Sequence, residues 1–334
     1  MTTIYPLPRI EIRPLTELRE DRPIALITGT RSWEAVRDRV RLPIVVQAEP
    51  DNANLDYLDD LADNLPQEVE AVYGIGGGLV SDVAKYIGWK NSLPVSIAPT
   101  ALSVDGYFTS LVAAREGGVV EYVTTGPAER LIIDWDVIQA APRRYRGAAI
   151  LELLTMVSGL LDWRYAAEKN QNTELERFQP WAASVAAGIA QQAFRISEGV
   201  GKGQIQALRS LLDLVSMEVQ LTNQLGHNRP QEGGEQYFAY AIEPKLEEEM
   251  SYADMVGPGI LLSTALHGQD TTNIRQTLLN VGVQLAELPR EKIVETLVEL
   301  PGYVKEHKLP FTRLHDSHID EARAKDLMEK AGLS

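Results

Sequence analysis

From residue 24 to about 136 the chain alternates short β-branched runs with amphipathic stretches. IALIT (24–28) passes through Gly29 into a helical pattern that opens near Ser32, and PIVVQ (43–47) leads to a second helix rich in Leu and Asp. EAVYGIG (70–76) runs into the helical stretch LVSDVAKYIGW, and PVSIAPT (94–100) follows. Strands alternating with helices at this spacing predict βαβ units and a largely parallel sheet. Residues 108–125 interrupt the rhythm. Apolar positions alternate on either side of Glu116-Gly117-Gly118, which predicts a β-hairpin ahead of a strand RLIID (130–134).

From Pro142 onward strand signals stop. Stretches 147–168, 178–198 and 203–225 repeat apolar residues with a helical period, and the tail from 290 to 331 continues it. The pattern therefore predicts an α/β, Rossmann-like nucleotide-binding domain at 1–145 and an all-α domain at 146–334, with the boundary near Ala141-Pro142-Arg143-Arg144. Gly199-Val200-Gly201-Lys202-Gly203 lacks the glycine and the Ser/Thr that a P-loop places around its Gly-Lys, so it reads as a connector between two helices.

Composition narrows the function. The 334 residues are 44% apolar and 24% charged, as expected of a globular chain of about two domains. With 47 Asp and Glu against 32 Lys and Arg, the net charge of −15 argues against nucleic acid as a partner, because a polyanion needs a basic face. Cysteine is absent, which removes disulfides, thiolate zinc sites and cysteine nucleophiles. Charges and prolines break up the N-terminal stretch, and no run is long and apolar enough for a membrane span, so the expectation is a cytoplasmic protein with no membrane partner.

The most informative segment is Gly74 to Lys85, a strand ending in glycines that opens directly into a helix. Glycines there admit a pyrophosphate close to the backbone, and the helix N-terminus favours the anion. The same pattern also serves a tight turn with no ligand. A strand end rich in hydroxyls follows, Pro99 to Thr109, with the single carboxylate Asp105. It can bind phosphate and a substrate hydroxyl at the carboxyl end of the sheet, or cap local backbone. Glu49 and Asp51 follow the second strand, where a carboxylate pairs with a ribose 2′-hydroxyl and leans towards NAD over NADP. Arg143, Arg144 and Arg146 can reach a substrate phosphate or stand exposed, and Glu247-Glu248-Glu249 reads as a solvated face.

GGGLVSDVAK, PTALSVDGYFTS, LIIDWDVIQAAPRR, LLDWRYA and RPQEGGEQ, in that order, resemble the glycerol-1-phosphate dehydrogenases, relatives of glycerol dehydrogenase, the iron-containing alcohol dehydrogenases and dehydroquinate synthase. The resemblance, over residues 24 to about 270, implies an NAD(P)-binding α/β domain, a helical domain, an active site in the cleft between them and a homo-oligomer. It places the pyrophosphate motif on Gly76, Gly77 and Gly78 with Asp82 following, a second cofactor segment on Thr100 to Ser103, a further cofactor residue on Thr109, and the substrate-binding aspartate on Asp105.

That family holds a divalent metal with an aspartate and two histidines, and here the pattern departs. Glu152, ten residues before the shared Asp162-Trp163, takes the aspartate position. The two histidine positions, separated by 16 residues, fall on Gln236 and Tyr252. An amide and a phenol are poor substitutes for imidazoles on zinc, so zinc or another divalent metal is not expected. None of His227, His267, His307, His315 and His318 falls at a ligand position. A rearranged site could draw on His227, Glu152, Glu235 or Asp254, each of which reads more simply as a solvated or helix-surface residue, and His267 as a residue favouring a helix C-terminus.

The resemblance implies an oxidoreductase using NAD(H) or NADP(H) on a small, phosphorylated hydroxy or carbonyl compound. Tyr252 is then the candidate proton donor, with Asp105, Glu152 and Gln236 orienting the substrate. Two alternatives stand beside it: a nucleotide-binding regulatory protein that has lost the reaction, and a lyase or synthase that uses NAD transiently.

Overall fold

The computed structural model describes residues 4–116, 119–247 and 250–333. Gly117 and Gly118 of the expected hairpin turn, and Glu248 and Glu249 of the acidic run, lie outside the described residues. The chain divides into two compact units. The first comprises Ile4–Gly147 with Gly203–Leu208, and the second comprises 148–202 with 209–333.

The first unit is built on strands β1 (Arg9–Ile12), β2 (Ile24–Thr28), β3 (Ile44–Ala48), β4 (Ala71–Gly76), β5 (Val95–Pro99) and β8 (Arg130–Ile133), all parallel, in the order β1-β8-β5-β4-β2-β3. Strands β6 (Leu111–Glu116) and β7 (Val119–Thr124) pair antiparallel, the hairpin that the alternating pattern predicts. β2, β4 and β5 are buried along their whole length, which is why they read as unbroken apolar runs. Ile24 and Leu26, Ala71, Tyr73 and Ile75, Ala98 and Ile132 share one core with Leu15, Leu18, Val36 and Val137. Helices α1 (Thr30–Val36) and α3 (Gly78–Lys90) pack on β4, and α2 (Leu55–Asp63) packs on α3. Two short helices, α4 (Trp135–Ala140) and α5 (Arg143–Arg146), end the unit.

The edge strand β1 was not among the expected elements. Ile10 and Ile12 alternate with charges between prolines, and the strand's partner β8 is more than a hundred residues away, so only the folded sheet reveals the pairing.

The second unit is helical. It comprises α6 (Ile150–Glu168), α7 (Pro180–Gly201), α8 (Ile205–Leu225, whose first turn groups with the first unit), α9 (Gly234–Ile242), α10 (Tyr252–Leu266), α11 (Thr272–Val281), α12 (Arg290–Glu306) and α13 (Glu321–Ala331). Two expectations are corrected. The tail is not continuous. Pro310 disfavours helix at Leu309, and a reciprocal cap between Thr312 and His315 starts a separate short turn at Arg313–Asp316. The connector expected at 199–203 shrinks to its end, because α7 runs through Gly201. A Cβ at Gly201 would stand 1.8 Å from the Asn280 carbonyl oxygen, so this glycine serves close packing of α7 on α11. No helix among the described residues is long and apolar enough to cross a membrane.

Towards the amino ends of the central strands, Glu20 gathers an ionic cluster. It accepts hydrogen bonds from Arg22 Nε (2.9 Å), Tyr73 Oη (2.8 Å) and Arg130 Nη2 (3.2 Å), and Arg130 also bonds the Ser96 hydroxyl. The Arg22 hydrogen bond, against the opposing effect of burial and helped by Tyr73, holds the Glu20 carboxyl down to about 2. Burial and the Glu20 carboxylate push the Tyr73 phenol up to about 12. A depressed acid stabilises the fold above its unfolded pKa, and that contribution is lost as pH falls from about 4.5 towards 2. Glu20→Gln should therefore lower stability by about 1–2 kcal/mol at neutral pH. Urea midpoints measured from pH 7 down to pH 2 should show the two proteins converging at the acid end.

Candidate functional site

The chain goes from β2 outward to β3, then returns to place β4 on the other side of β2. This reversal creates a crevice at the carboxyl ends of β2 and β4, the place where open parallel sheets bind ligands. β4 ends there in Gly76, and Gly77 and Gly78 start α3 with no side-chain cap on the first backbone N–H groups.

The three glycines are there for different reasons. A Cβ at Gly76 would meet Val80 at 2.8 Å, so glycine there is set by packing, and one at Gly78 would meet Val104 at 3.0 Å, a tight contact that a small shift of that side chain relieves. At Gly77 the nearest atom would be the Ser103 hydroxyl, 4.0 Å away, and the backbone is extended at φ −91°. Neither packing nor conformation requires glycine at 77. The space that a side chain would take is left open beside the helix N-terminus, which fits the close approach of an anion.

The segment after β5 lines this turn. Thr100 N donates to the Gly76 carbonyl (3.1 Å), and Thr100 Oγ1 lies 3.1 Å from Ser32 Oγ. Ser103 Oγ is 2.6 Å from Tyr107 Oη, which donates to the Ala101 carbonyl (3.0 Å). Burial pushes the Tyr107 phenol up to about 12. Glu49, at the end of β3, accepts a hydrogen bond from Thr30 at the start of α1 (2.7 Å) and stands exposed. Gly76, Gly77, Gly78, Thr100 and Ser103 thus come together. Asp105 is half-buried on the same loop, its carbonyl accepting from Phe108 N (2.8 Å).

Asp82 and Thr109 are placed elsewhere. Both face Lys85, a side chain only 1% exposed on α3. Asp82 Oδ1 lies 3.2 Å and Thr109 Oγ1 3.3 Å from its ammonium, and Asp82 Oδ2 accepts from Ala113 N. Sequence reasoning passed over Lys85, Tyr107 and Ser32. The readable signal was Lys85 itself, a cation in a helix whose neighbours are Val83, Ala84, Tyr86 and Ile87. Arg146 donates from Nε and Nη2 to the Ala141 carbonyl, which turns its guanidinium back onto the end of α4, and Arg144 lies over the Tyr145 ring.

In the second unit, Glu152 is buried in the first turn of α6. Gln236 on α9 and Tyr252 at the start of α10 meet directly, with Gln236 Nε2 donating to Tyr252 Oη at 2.6 Å. Glu152, Glu235 and Asp254 are corrected from surface to interior. Asp254 accepts from Gln284 N (2.8 Å) and Ser251 Oγ (2.5 Å), while Glu235 Oε1 accepts from Gly233 N (2.7 Å). A Cβ at Gly259 would sit 2.5 Å from the Glu235 carbonyl oxygen, so α9 and α10 touch backbone to backbone at this point. His227 lies against the Trp163 ring, and burial lowers its pKa. His267 ends α10 as expected, and its Nε2 is also 2.9 Å from Asp162 Oδ1.

Asp162 is fully buried and takes backbone N–H groups from Gly234 and Arg313, both at 2.8 Å. Burial acts to raise its pKa, but His267 and these N–H groups prevail and lower it. Glu235 goes the other way. Burial, then the neighbouring Asp162 charge, push its carboxyl up to about 8. Among the described residues, no three His, Asp or Glu side chains converge as a metal group.

A model of the iron-containing alcohol dehydrogenase family matches residues 12–142. A glycerol-1-phosphate dehydrogenase (NAD(P)+) of Aeropyrum pernix is 32% identical over 292 residues, covering 84% of this chain and 80% of the relative. One from Saccharolobus islandicus is 29% identical over 268 residues, covering 78% of this chain and 75% of the relative. Among solved structures, a probable glycerol dehydrogenase from Sinorhizobium meliloti shares the fold at a TM-score of 0.72 and 16% identity, covering 100% of this chain and 99% of the other. The sheet, the glycine turn and the helical unit are those of the iron-containing alcohol dehydrogenase class. Within that class, the chain belongs to the glycerol-1-phosphate dehydrogenase family.

A buried carboxyl with a raised pKa binds a proton more tightly when folded, so folding stability falls as pH rises from 4.5 to about 8. Glu235→Gln keeps an acceptor for Gly233 N without that cost. Thermal melts should show the variant gaining on the parent between pH 5 and pH 8, by about 1–2 kcal/mol at the upper end. A constant difference across the range would contradict the assignment.

Proposed function

We propose that this chain is an NAD(P)(H)-dependent oxidoreductase acting on a small, phosphorylated hydroxyl or carbonyl compound. The observation that carries the reading is the Gly76–Gly78 turn at the sheet's reversal point, with open space at Gly77 beside the Thr100 and Ser103 hydroxyls. The relatives from Aeropyrum pernix and Saccharolobus islandicus, named as NAD(P)+-linked dehydrogenases of glycerol 1-phosphate, support it. The nicotinamide cofactor, when bound, supplies or accepts the hydride. Backbone N–H groups at the start of α3 take the pyrophosphate, and Glu49 accepts from a ribose hydroxyl, which favours NAD.

The residues at the family's metal positions do not fit zinc. They offer a carboxylate, an amide and a phenol, and the amide nitrogen of Gln236 is committed to the phenol oxygen of Tyr252. In this reading Tyr252 itself donates the proton to the carbonyl oxygen as it gains electrons. The Gln236 N–H stabilises the negative charge left on the phenol. Asp105 binds a substrate hydroxyl, and Glu152 orients the substrate.

The test follows NADH absorbance with dihydroxyacetone phosphate, with zinc in one arm and chelator in the other. Turnover should survive chelation, and Tyr252→Phe should lower kcat about 10²- to 10⁴-fold while NADH still binds. Turnover lost on chelation and regained with zinc would remove Tyr252 from this role. NADH binding with no reduction in either arm would favour a nucleotide-binding protein that has lost the reaction. A second variant tests the cofactor turn. Gly77→Ala should weaken NADH binding about tenfold or more with an unchanged melting temperature, because the methyl group enters ligand space rather than protein.

A further inference from the structure

We propose that Lys85 and Asp82 form a buried clamp that positions the loop carrying Ser103 and Asp105 against the glycine turn. The functional half of this inference rests on the oxidoreductase reading above, and the physical half rests on geometry alone.

An ammonium cannot be left without acceptors in an apolar interior. Lys85 is 1% exposed, on a helix that buries Val80, Val83, Ala84, Tyr86 and Ile87 around it. The chain beyond β5 supplies what it needs. Its Nζ donates to the Gly106 carbonyl at 2.8 Å and the Leu111 carbonyl at 2.5 Å, with the Thr109 carbonyl at 3.4 Å and hydroxyl at 3.3 Å. Asp82, one turn earlier on the same helix face, balances the charge at 3.2 Å and takes Ala113 N with its other oxygen. One face of α3 therefore holds both ends of the 106–113 segment.

Gly106 directly follows Asp105, so holding the Gly106 carbonyl anchors the chain one residue beyond Asp105. The rest of the loop closes on itself through Phe108 N to the Asp105 carbonyl and through the fully buried Tyr107, which reaches Ala101 and Ser103. The helix that opens with the glycine turn thus also sets the register of the loop facing it. On this account Asp82 and Thr109 act through Lys85, and the three are positioning residues with no contact to the cofactor.

The absence of cysteine makes a lysine rebuild feasible. Lys85→Cys, alkylated with bromoethylamine in denaturant and refolded, restores a lysine isostere, and alkylation with iodoacetamide gives a neutral side chain of similar reach. Hydrogen exchange read by mass spectrometry over 101–113 measures the clamp without any reaction. Lys85→Met and the neutral adduct should lose protection in this segment, and the aminoethyl adduct should regain it. With dihydroxyacetone phosphate, Lys85→Met should raise KM about tenfold or more. The aminoethyl adduct should reverse the KM effect.

Unchanged protection in folded Lys85→Met, or a folded aminoethyl adduct that restores nothing, overturns the proposal. If Lys85→Met does not fold, Asp82→Ala reads the same segment from its Ala113 end, and unchanged protection there overturns it equally. If the parent protein binds NADH but reduces no carbonyl, the oxidoreductase reading fails on its own and the exchange arm still decides the clamp.

Discussion

A parallel sheet buried on both faces confines its polar chemistry to the ends of its strands. β2, β4 and β5 are buried throughout, so nothing on their faces can meet a solute. The two ends are used differently. Towards the amino ends the charges close on one another, with Glu20 tied to Arg22, Tyr73 and Arg130. At the carboxyl ends the backbone is left with donors to spare. Gly77 starts α3 with no side-chain cap, and the neighbouring hydroxyls of Thr100 and Ser32 bond each other across the rim. A closed polar cluster stabilises, whereas an open set of donors recruits an anion.

The same rule governs the charges that are buried away from the strand ends. Lys85 is met by backbone carbonyls, and Asp162 is met by backbone N–H groups and His267. In each case an irregular stretch of chain is shaped by the need to satisfy a charge: residues 106–113 around Lys85, and residues 233–234 and 313 around Asp162. Glu235 is the exception, because it is fully buried and, besides that, has the Asp162 charge beside it. A second negative charge there costs more than keeping the proton, so Glu235 stays neutral and serves Gly233 as an acceptor.

What was readable in advance follows from this division. Central strands and amphipathic helices carry periodic signals, and those elements emerged within a few residues of their expected bounds. The glycine turn was readable because a strand, three glycines and a helix are contiguous in sequence. Features that depend on distant partners were not. β1 needs β8, Gly201 needs Asn280, and the interior placement of Glu235 and Asp254 needs helices that the periodic pattern assigns only a face. Asp82 and Thr109 also depend on a tertiary contact, since their side chains meet at Lys85, the last residue of the GGGLVSDVAK segment.

Gln236 and Tyr252 show how two departures from a family pattern can be a single change. Considered separately, each departs from the histidine that the resemblance implies at its position. In the structure they are hydrogen-bonded partners at 2.6 Å, an amide donor on α9 against a phenol at the start of α10. α9 and α10 are pressed together at Gly259, so side chains at these two positions face each other across a short gap. A donor and an acceptor satisfy each other directly. The Gln236 N–H thus supports the phenol oxygen directly, and on the oxidoreductase reading proposed above that is the oxygen left carrying charge once the proton is released.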